Sequence, residues 1–419
     1  MKTEQKKEIV EFEQVIERGC GIDVHKEVIV ATVRGTGIKT ETREFTAFTD
    51  SLLELKEWLE KLGITHVAME STGVYWKPVF NILEDSIEIL LCNANHIKNV
   101  PGHKTDKRDS LWISKLLLSG LLKGSFIPKR PFRELRDLLR YERKLVDQIA
   151  SEKNRIQKIL EDTNVKLSCV VSDMDGVTAT KIIDALIAGQ EDPKELVKFR
   201  HGKSQKPVEE FLKALKGKLT DHHRFMLRAI KLSISEKEKI IAILQEEIDK
   251  KLEENQLMVD YELLQTIPGV GEEGAAIILA EIGNDMSQFP DEKHLASWAG
   301  LCPGVNESAG KKKSGRINHG NKMLRAMLVQ MAWAATRTKG TYLRSKYDSL
   351  VGRRGKKKAL IAVGHKILIA AYFILKDKVA YNDLGTDFLD NKRKDKQIAH
   401  HLKRLKELGI ELADVSKVA

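Results

Sequence analysis

Apolar positions in the first third of the chain change period several times, and each change marks an element. Three short apolar runs, "CGIDVHK", "EVIVATVRG" and "TETREFTAF", predict three strands separated by turn residues. "DSLLELKEWLEKLG" then carries its leucines at three-four spacing and stops on a glycine, which predicts a helix. "THVAMEST" reads as a strand, "VYWKPVFNILED" as a helix, "IEILLCNAN" as a strand and "DSLWISKLLLSGLL" as a helix with apolar residues all round.

The order βββαβαβα predicts an α/β domain over residues 1–127, a mixed sheet covered on both faces as in ribonuclease H-like nucleases. After "FIPKRPF" the period becomes helical. Leu135, Leu138, Leu145, Ile149, Ile156 and Ile159 fall on three-four spacing along a charged helix, with Glu142 and Glu152 interrupting the seam. A second charged stretch, carrying Ile241, Leu244, Ile248 and Lys251 or Leu252, either lies antiparallel to the first or pairs with another subunit. Residues 128–258 are therefore an all-α, coiled-coil middle, within which 166–230 form a helical insertion. A compact, mainly helical domain over 259–385 begins at "LLQTIPGVGEEGAAIILAEIG". A basic helical tail, 386–419, reads as a solvated face.

Charge adds a partner to this outline. The chain has 71 Lys plus Arg against 60 Asp plus Glu, a net charge of +11 over 419 residues, which favours a polyanion. Cys20, Cys92, Cys169 and Cys302 are scattered without CxxC spacing, which predicts buried thiols in a reducing compartment rather than a zinc knuckle or disulfide framework. "MKTEQKKEIVEFEQ" lacks the apolar core of a signal peptide, and the apolar stretch from Ala359 to Leu375 is broken by "GHK". These features predict a soluble, cytoplasmic protein with no membrane partner.

Within that frame the acidic residues are informative. "HKTDKRDS" keeps Asp106 and Asp109 three apart among lysines and arginines. They suit a helix N-cap and its third position, and equally a face that puts two carboxylates on one divalent cation. Asp23 lies inside the apolar strand "GCGIDV", and Glu70 closes "HVAMEST". A carboxylate in an apolar strand is costly to desolvate without a cation, proton or donor. If the first and fourth strands are neighbours, both acids would come to one edge, where carboxylates holding metal serve phosphodiester chemistry. His25, next along the strand, reads as a packed or surface residue.

Two further segments carry candidate chemistry. "NESAGKKKSGRINHGNKMLR", residues 306–325, has six Lys or Arg against Glu307 and three glycines, which predicts a mobile or tightly turned phosphate-binding loop. Ser308 and Ser314 lie among its cations, where an alkoxide attacking phosphorus would be stabilised. "TIPGVGEEGAA" places Gly269 and Gly271 ahead of an alanine-rich helix. It suits either a helix-hairpin-helix turn receiving a DNA phosphate or a plain tight turn between packed helices.

In this order, "GIDVHK", "MESTGVYW", "HKTDKRDS", "TIPGVG" and "GLCPGVNESAGKKKSGRINHGNKMLR" resemble the DEDD transposases of bacterial insertion sequences, the family numbered one-hundred-and-ten. The resemblance covers nearly the whole chain, apart from the insertion and the basic tail. It implies a RuvC-like amino-terminal domain and a carboxyl-terminal transposase domain. It also implies Asp23, Glu70, Asp106 and Asp109 as ligands of one or two Mg²⁺ ions, and Ser308 as nucleophile. The expected activity is excision and insertion of the element through a covalent phosphoserine bond, guided by a noncoding bridge RNA. Lys311, Lys312, Lys313, Arg316, Arg325, Gly269 and Gly271 are the expected nucleic-acid contacts. The expected partners are element-end, donor and target DNA, the guide RNA and further copies of the chain in a dimer or tetramer. Two other readings stay open: a metal-dependent junction nuclease using water, and a non-catalytic nucleic-acid scaffold.

Overall fold

The computed structural model describes residues 15–71, 73–93, 106–201, 206–303, 306–308, 311–314, 317 and 320–408. It has two compact units, Met1–Ile127 and Pro128–Ala419.

The first unit is built on a mixed sheet: β1 (Arg18–Val24), β2 (Val28–Gly35), β3 (Glu41–Thr46), β4 (His66–Glu70) and β5 (Glu88–Cys92). Their spatial order is β3-β2-β1-β4-β5. The first three pair antiparallel, while β1–β4 and β4–β5 are parallel. Helix α1 (Thr49–Lys61) connects β3 to β4, α2 (Trp76–Leu83) connects β4 to β5, and α3 (Asp106–Leu118) follows. This is the predicted βββαβαβα order, consistent with a ribonuclease H-like domain.

Strand alternation sorts the residues between two layers. Cys20, Ile22 and Val24 share one core with Leu52, Leu55 and Leu59 of α1 and Val79 and Leu83 of α2. On the opposite face Ala68 and Cys92 pack against Ile113, Leu116 and Leu117 of α3. Burial pushes the Cys92 thiol up to about 11 and raises that of Cys20 further, so both stay protonated. The expectation of buried thiols fails for the other two, since Cys169 is exposed and Cys302 half-buried. Cys169 closes a single 3-10 turn and Cys302 lies in a bend, and neither is in a sheet interior.

The second unit opens with α4 (Arg130–Asp162), started by Pro131 in its first turn. Helices α5 (Val177–Ile187), α6 (Pro193–Leu196) and α7 (Val208–Ala214) follow, then α8 (Asp221–Glu254), which Thr220 and His223 cap reciprocally. Three contacts set the direction of the long pair: His223–Asp162 at 3.0 Å, Gln245–Glu142 at 3.0 Å and Lys251–Glu134 at 3.2 Å. Rising numbers on α8 meet falling numbers on α4, so the antiparallel arrangement forms within one chain. The insertion has its own core, in which Leu167, Ile182, Leu186, Leu196 and Phe211 pack on Leu160 and Leu227 of the long helices.

The remainder comprises α9 (Met258–Gln265), α10 (Glu272–Ile282), α11 (Glu292–Trp298), the hairpin β6 (Asn306–Ser308) and β7 (Lys311–Ser314), α12 (Lys322–Ala335), α13 (Tyr342–Arg354), α14 (Lys356–Asp377) and α15 (Phe388–Glu407). The apolar helix α14 is long enough to cross a membrane, yet Val363, Ile367, Leu368, Ala371 and Leu375 are buried. It contacts α9, α11, α12 and α13, and so acts as the central helix of this region.

Candidate functional site

The alternation of β1 determines what meets α3. Gly19, Gly21 and Asp23 point to the α3 side, because the intervening Cys20 and Ile22 fill the opposite core. A Cβ on Gly19 would stand 2.9 Å from Leu117, and one on Gly21 would stand 2.2 Å from the Ser110 carbonyl oxygen. The start of α3 therefore lies toward the carboxyl end of β1, where Asp23 sits. The buried Ser110 hydroxyl meets the Thr32 hydroxyl of β2 at 2.7 Å, tying the helix to the sheet.

Glu70 reaches the same edge from β4. Ile22 is paired with Met69 in the parallel register, so Asp23 and Glu70 occupy the next step on adjacent strands, which run about 4.8 Å apart. Ala68, two residues before Glu70, belongs to the α3-side core, so Glu70 faces α3 as Asp23 does. Asp109 adjoins Ser110 in the first turn of α3, and Asp106 opens the helix one turn before Ser110. The side chain of Asp106 lies outside the described residues. The fold thus gathers Asp23, Glu70 and the beginning of α3 at one edge of the sheet.

Asp23 is mostly covered, and its Oδ2 lies 3.0 Å from Nε2 of the exposed His25. His25 is thus a surface side chain, as expected, and its ring also reaches the Asp23 carboxylate. Among the described residues, no three His, Cys, Asp or Glu side chains form a group able to hold a metal ion. Beside the His25 imidazole, Asp23, Glu70 and Asp109 nonetheless offer carboxylate oxygens, the donors a hard divalent cation takes.

The serine segment is paired as a two-stranded hairpin. Ser308 ends β6 opposite Lys311, Glu307 faces Lys312, and Asn306 faces Ser314. A further bridge joins Pro303 to Ile317. Ser308 is thereby at the turn end and Ser314 at the base. The side chains of Ser308, Lys311, Lys312, Lys313 and Ser314, and all of Gly310, Gly315 and Arg316, lie outside the described residues. Arg325 is half-buried on α12.

The "PGVG" turn has a packing cause for one glycine. Gly269 has φ +86°, and a Cβ there would stand 2.4 Å from the Met331 carbonyl oxygen of α12. Gly271 caps α10 in open space, but Glu272 and Glu273 occupy the first turn, where their charge opposes an incoming phosphate. Arg143 of α4 lies 3.8 Å from Glu273.

The close packing of α3 was legible as the pattern Gly19-x-Gly21-x-Asp23, since glycines alternating on one strand face announce a near backbone. The partners of the buried Glu281, described below, had no local signal.

Comparison with known proteins gives two family matches. A transposase model of the DEDD type found in IS110 matches residues 20–165. A second, the transposase IS116/IS110/IS902 family, matches residues 261–348. The pilin gene-inverting protein of Moraxella bovis is 35% identical over 119 residues, covering 27% of this chain and 36% of that relative. The insertion element IS110 uncharacterized 43.6 kDa protein of Streptomyces coelicolor is 30% identical over 122 residues, covering 28% of this chain and 29% of its own length. The chain spans about a third of the length of these curated relatives.

Proposed function

The chain belongs to the IS110-type family of DEDD transposases, and on that premise we propose that it is a DNA recombinase that excises and inserts its element through a covalent phosphoserine bond. The observation that carries this reading is the convergence of Asp23 and Glu70, at the ends of adjacent parallel strands, with the acidic first turn of α3. Asp23, Glu70, Asp106 and Asp109 would hold one or two Mg²⁺ ions, which when bound would offset charge on the phosphate oxygens. A relative named for inverting a pilin gene supports strand exchange as the outcome.

In this reading Ser308 attacks phosphorus. Its Oγ–P bond forms as the bond from phosphorus to a sugar oxygen breaks, the serine proton is lost and the sugar oxygen leaves as a hydroxyl. Attack by a freed sugar hydroxyl reverses the step and rejoins DNA without an external energy source. Lys311, Lys312, Lys313, Arg316 and Arg325 hold phosphates, while a noncoding guide RNA selects sequence by pairing. Phe225 and Leu232, 65% and 63% exposed on α8, support assembly of further copies of the chain. The reaction belongs in the cytoplasm, on nucleoid DNA.

The test is a denaturing gel for a covalent protein–DNA adduct formed with element-end DNA and its RNA. Wild type gives an adduct, Ser308→Ala gives none while still binding nucleic acid, and Ser314→Ala retains it. An adduct that survives in Ser308→Ala, or maps to Ser314 or to Tyr75, the exposed tyrosine just ahead of α2, overturns the Ser308 assignment. Strand cleavage with no adduct in the wild type supports the water-using nuclease instead.

A further inference from the structure

Glu281, next to last in α10, has only 1% of its surface exposed, and an isolated carboxylate there would be strongly destabilising. Three side chains compensate it. Arg140 approaches through Nε at 2.9 Å and Nη2 at 2.8 Å, and Arg136 through Nε at 3.1 Å, both from α4. Arg136 also donates to the Glu281 and Ala280 carbonyl oxygens at 2.9 and 3.2 Å, so it fixes the end of α10 itself. The third partner is Asn321, whose Nδ2 donates to Glu281 Oε2 at 2.5 Å.

Asn321 stands where the chain leaves the serine hairpin. Its Oδ1 accepts from the Leu324 amide at 3.1 Å and caps α12, so both ends of its amide are engaged. Gly320, one residue earlier, is seated on the strand-entry side, where a Cβ would stand 2.3 Å from the Gly300 amide nitrogen. The Pro303–Ile317 bridge lies next along the stem. The base of the hairpin is therefore held at consecutive residues, by backbone contact at 320 and by a buried charge network at 321.

We propose that Glu281 is the positioning residue of the serine hairpin, orienting it through Asn321 against the two arginines of α4. The inference rests on the proposed serine chemistry for its consequence, but its geometry is independent of which group attacks. A buried charge network contributes little net stability compared with well-packed apolar side chains, whereas its directional hydrogen bonds define one orientation. Orientation is what an attacking group at the far end of a hairpin requires, because a small angular error at the base grows toward the tip.

The test separates the clamp from the cap. Asn321→Ser keeps an N-cap oxygen but is too short to reach Glu281. Asn321→Asp keeps the cap and sets carboxylate against carboxylate, and Glu281→Gln combined with Asn321→Asp exchanges donor and acceptor. Under single-turnover conditions at saturating DNA, Asn321→Ser and Asn321→Asp should cleave at least roughly tenfold more slowly, with affinity for DNA held within about twofold. Amide exchange over Asn306–Ser314 should quicken in both while α10 and α12 stay protected. The exchanged double variant should recover both readouts relative to Asn321→Asp. Wild-type rates in Asn321→Ser, or unchanged exchange in the hairpin, would overturn the proposal. Failure of the adduct assay for Ser308 leaves the exchange result to stand or fall alone, so the two failures are distinguishable.

Discussion

Gly21 of β1 lies directly beneath Ser110 of α3, so close that a Cβ on Gly21 would stand 2.2 Å from the Ser110 carbonyl oxygen and 2.3 Å from the Ser114 amide nitrogen. Both neighbours are backbone and cannot rotate away. The spacing sets how near the first turn of α3 comes to Asp23.

Gly21→Ala should therefore push α3 off the sheet. The expected cost is about 3 kcal/mol, at the upper end of ordinary overpacking, lowering the melting temperature by several degrees and removing strand cleavage. Ser110→Ala, which loses only the hydroxyl contact with Thr32, should cost about 1 kcal/mol and keep most activity. Thermal melts beside a cleavage assay check both. A melting point for Gly21→Ala within about 1 °C of wild type would contradict the close approach.

Asp23→Asn, Asp106→Asn and Asp109→Asn should each abolish cleavage at nearly wild-type stability. An amide retains the size and most of the capping ability of the acid, but not its charge as a metal ligand. Near-normal recombination by Asp106→Asn or Asp109→Asn would leave those two acids as helix caps.

Replacing Lys311, Lys312 and Lys313 by alanine should flatten the slope of log affinity against log salt by up to roughly two to three units if all three contact duplex phosphates. The same titration on Arg353→Ala and Arg354→Ala tests the exposed end of α13 separately. An unchanged slope in the triple variant would move the contact surface away from the hairpin.

Glu142 sits in the α4–α8 seam at 8% exposure, hydrogen-bonded to Gln245, and burial raises its carboxyl pKa above the usual range. A carboxyl raised in the folded state contributes stability below its unfolded pKa and loses it as pH rises through the folded value. Glu142→Gln should then raise the melting temperature at pH 7 by about 2 °C, and the gain should shrink toward zero near pH 4. A gain that grows on acidification would reverse the assignment.

The sequence by itself determined the element order of the first unit, because strands and helices there bury one face each and the apolar period records it. Leu52, Leu55 and Leu59 announce α1, and Cys20, Ile22 and Val24 announce β1, without knowledge of their partners. It also placed an acid at the end of each of two strands. Only the tertiary structure decided that these strands are neighbours in parallel register, since pairing over more than forty residues leaves no local trace. The same holds for the antiparallel α4–α8 pair, where one periodic face fits a partner in the chain or in another subunit equally well until contacts such as Gln245–Glu142 exist. Glu281 is the extreme case. In sequence it is one acid near the end of an apolar helix, and its meaning comes from Arg136, Arg140 and Asn321, which the fold brings from 145, 141 and 40 residues away. Burial forces a charge to find partners, but which partners is a property of the packed chain.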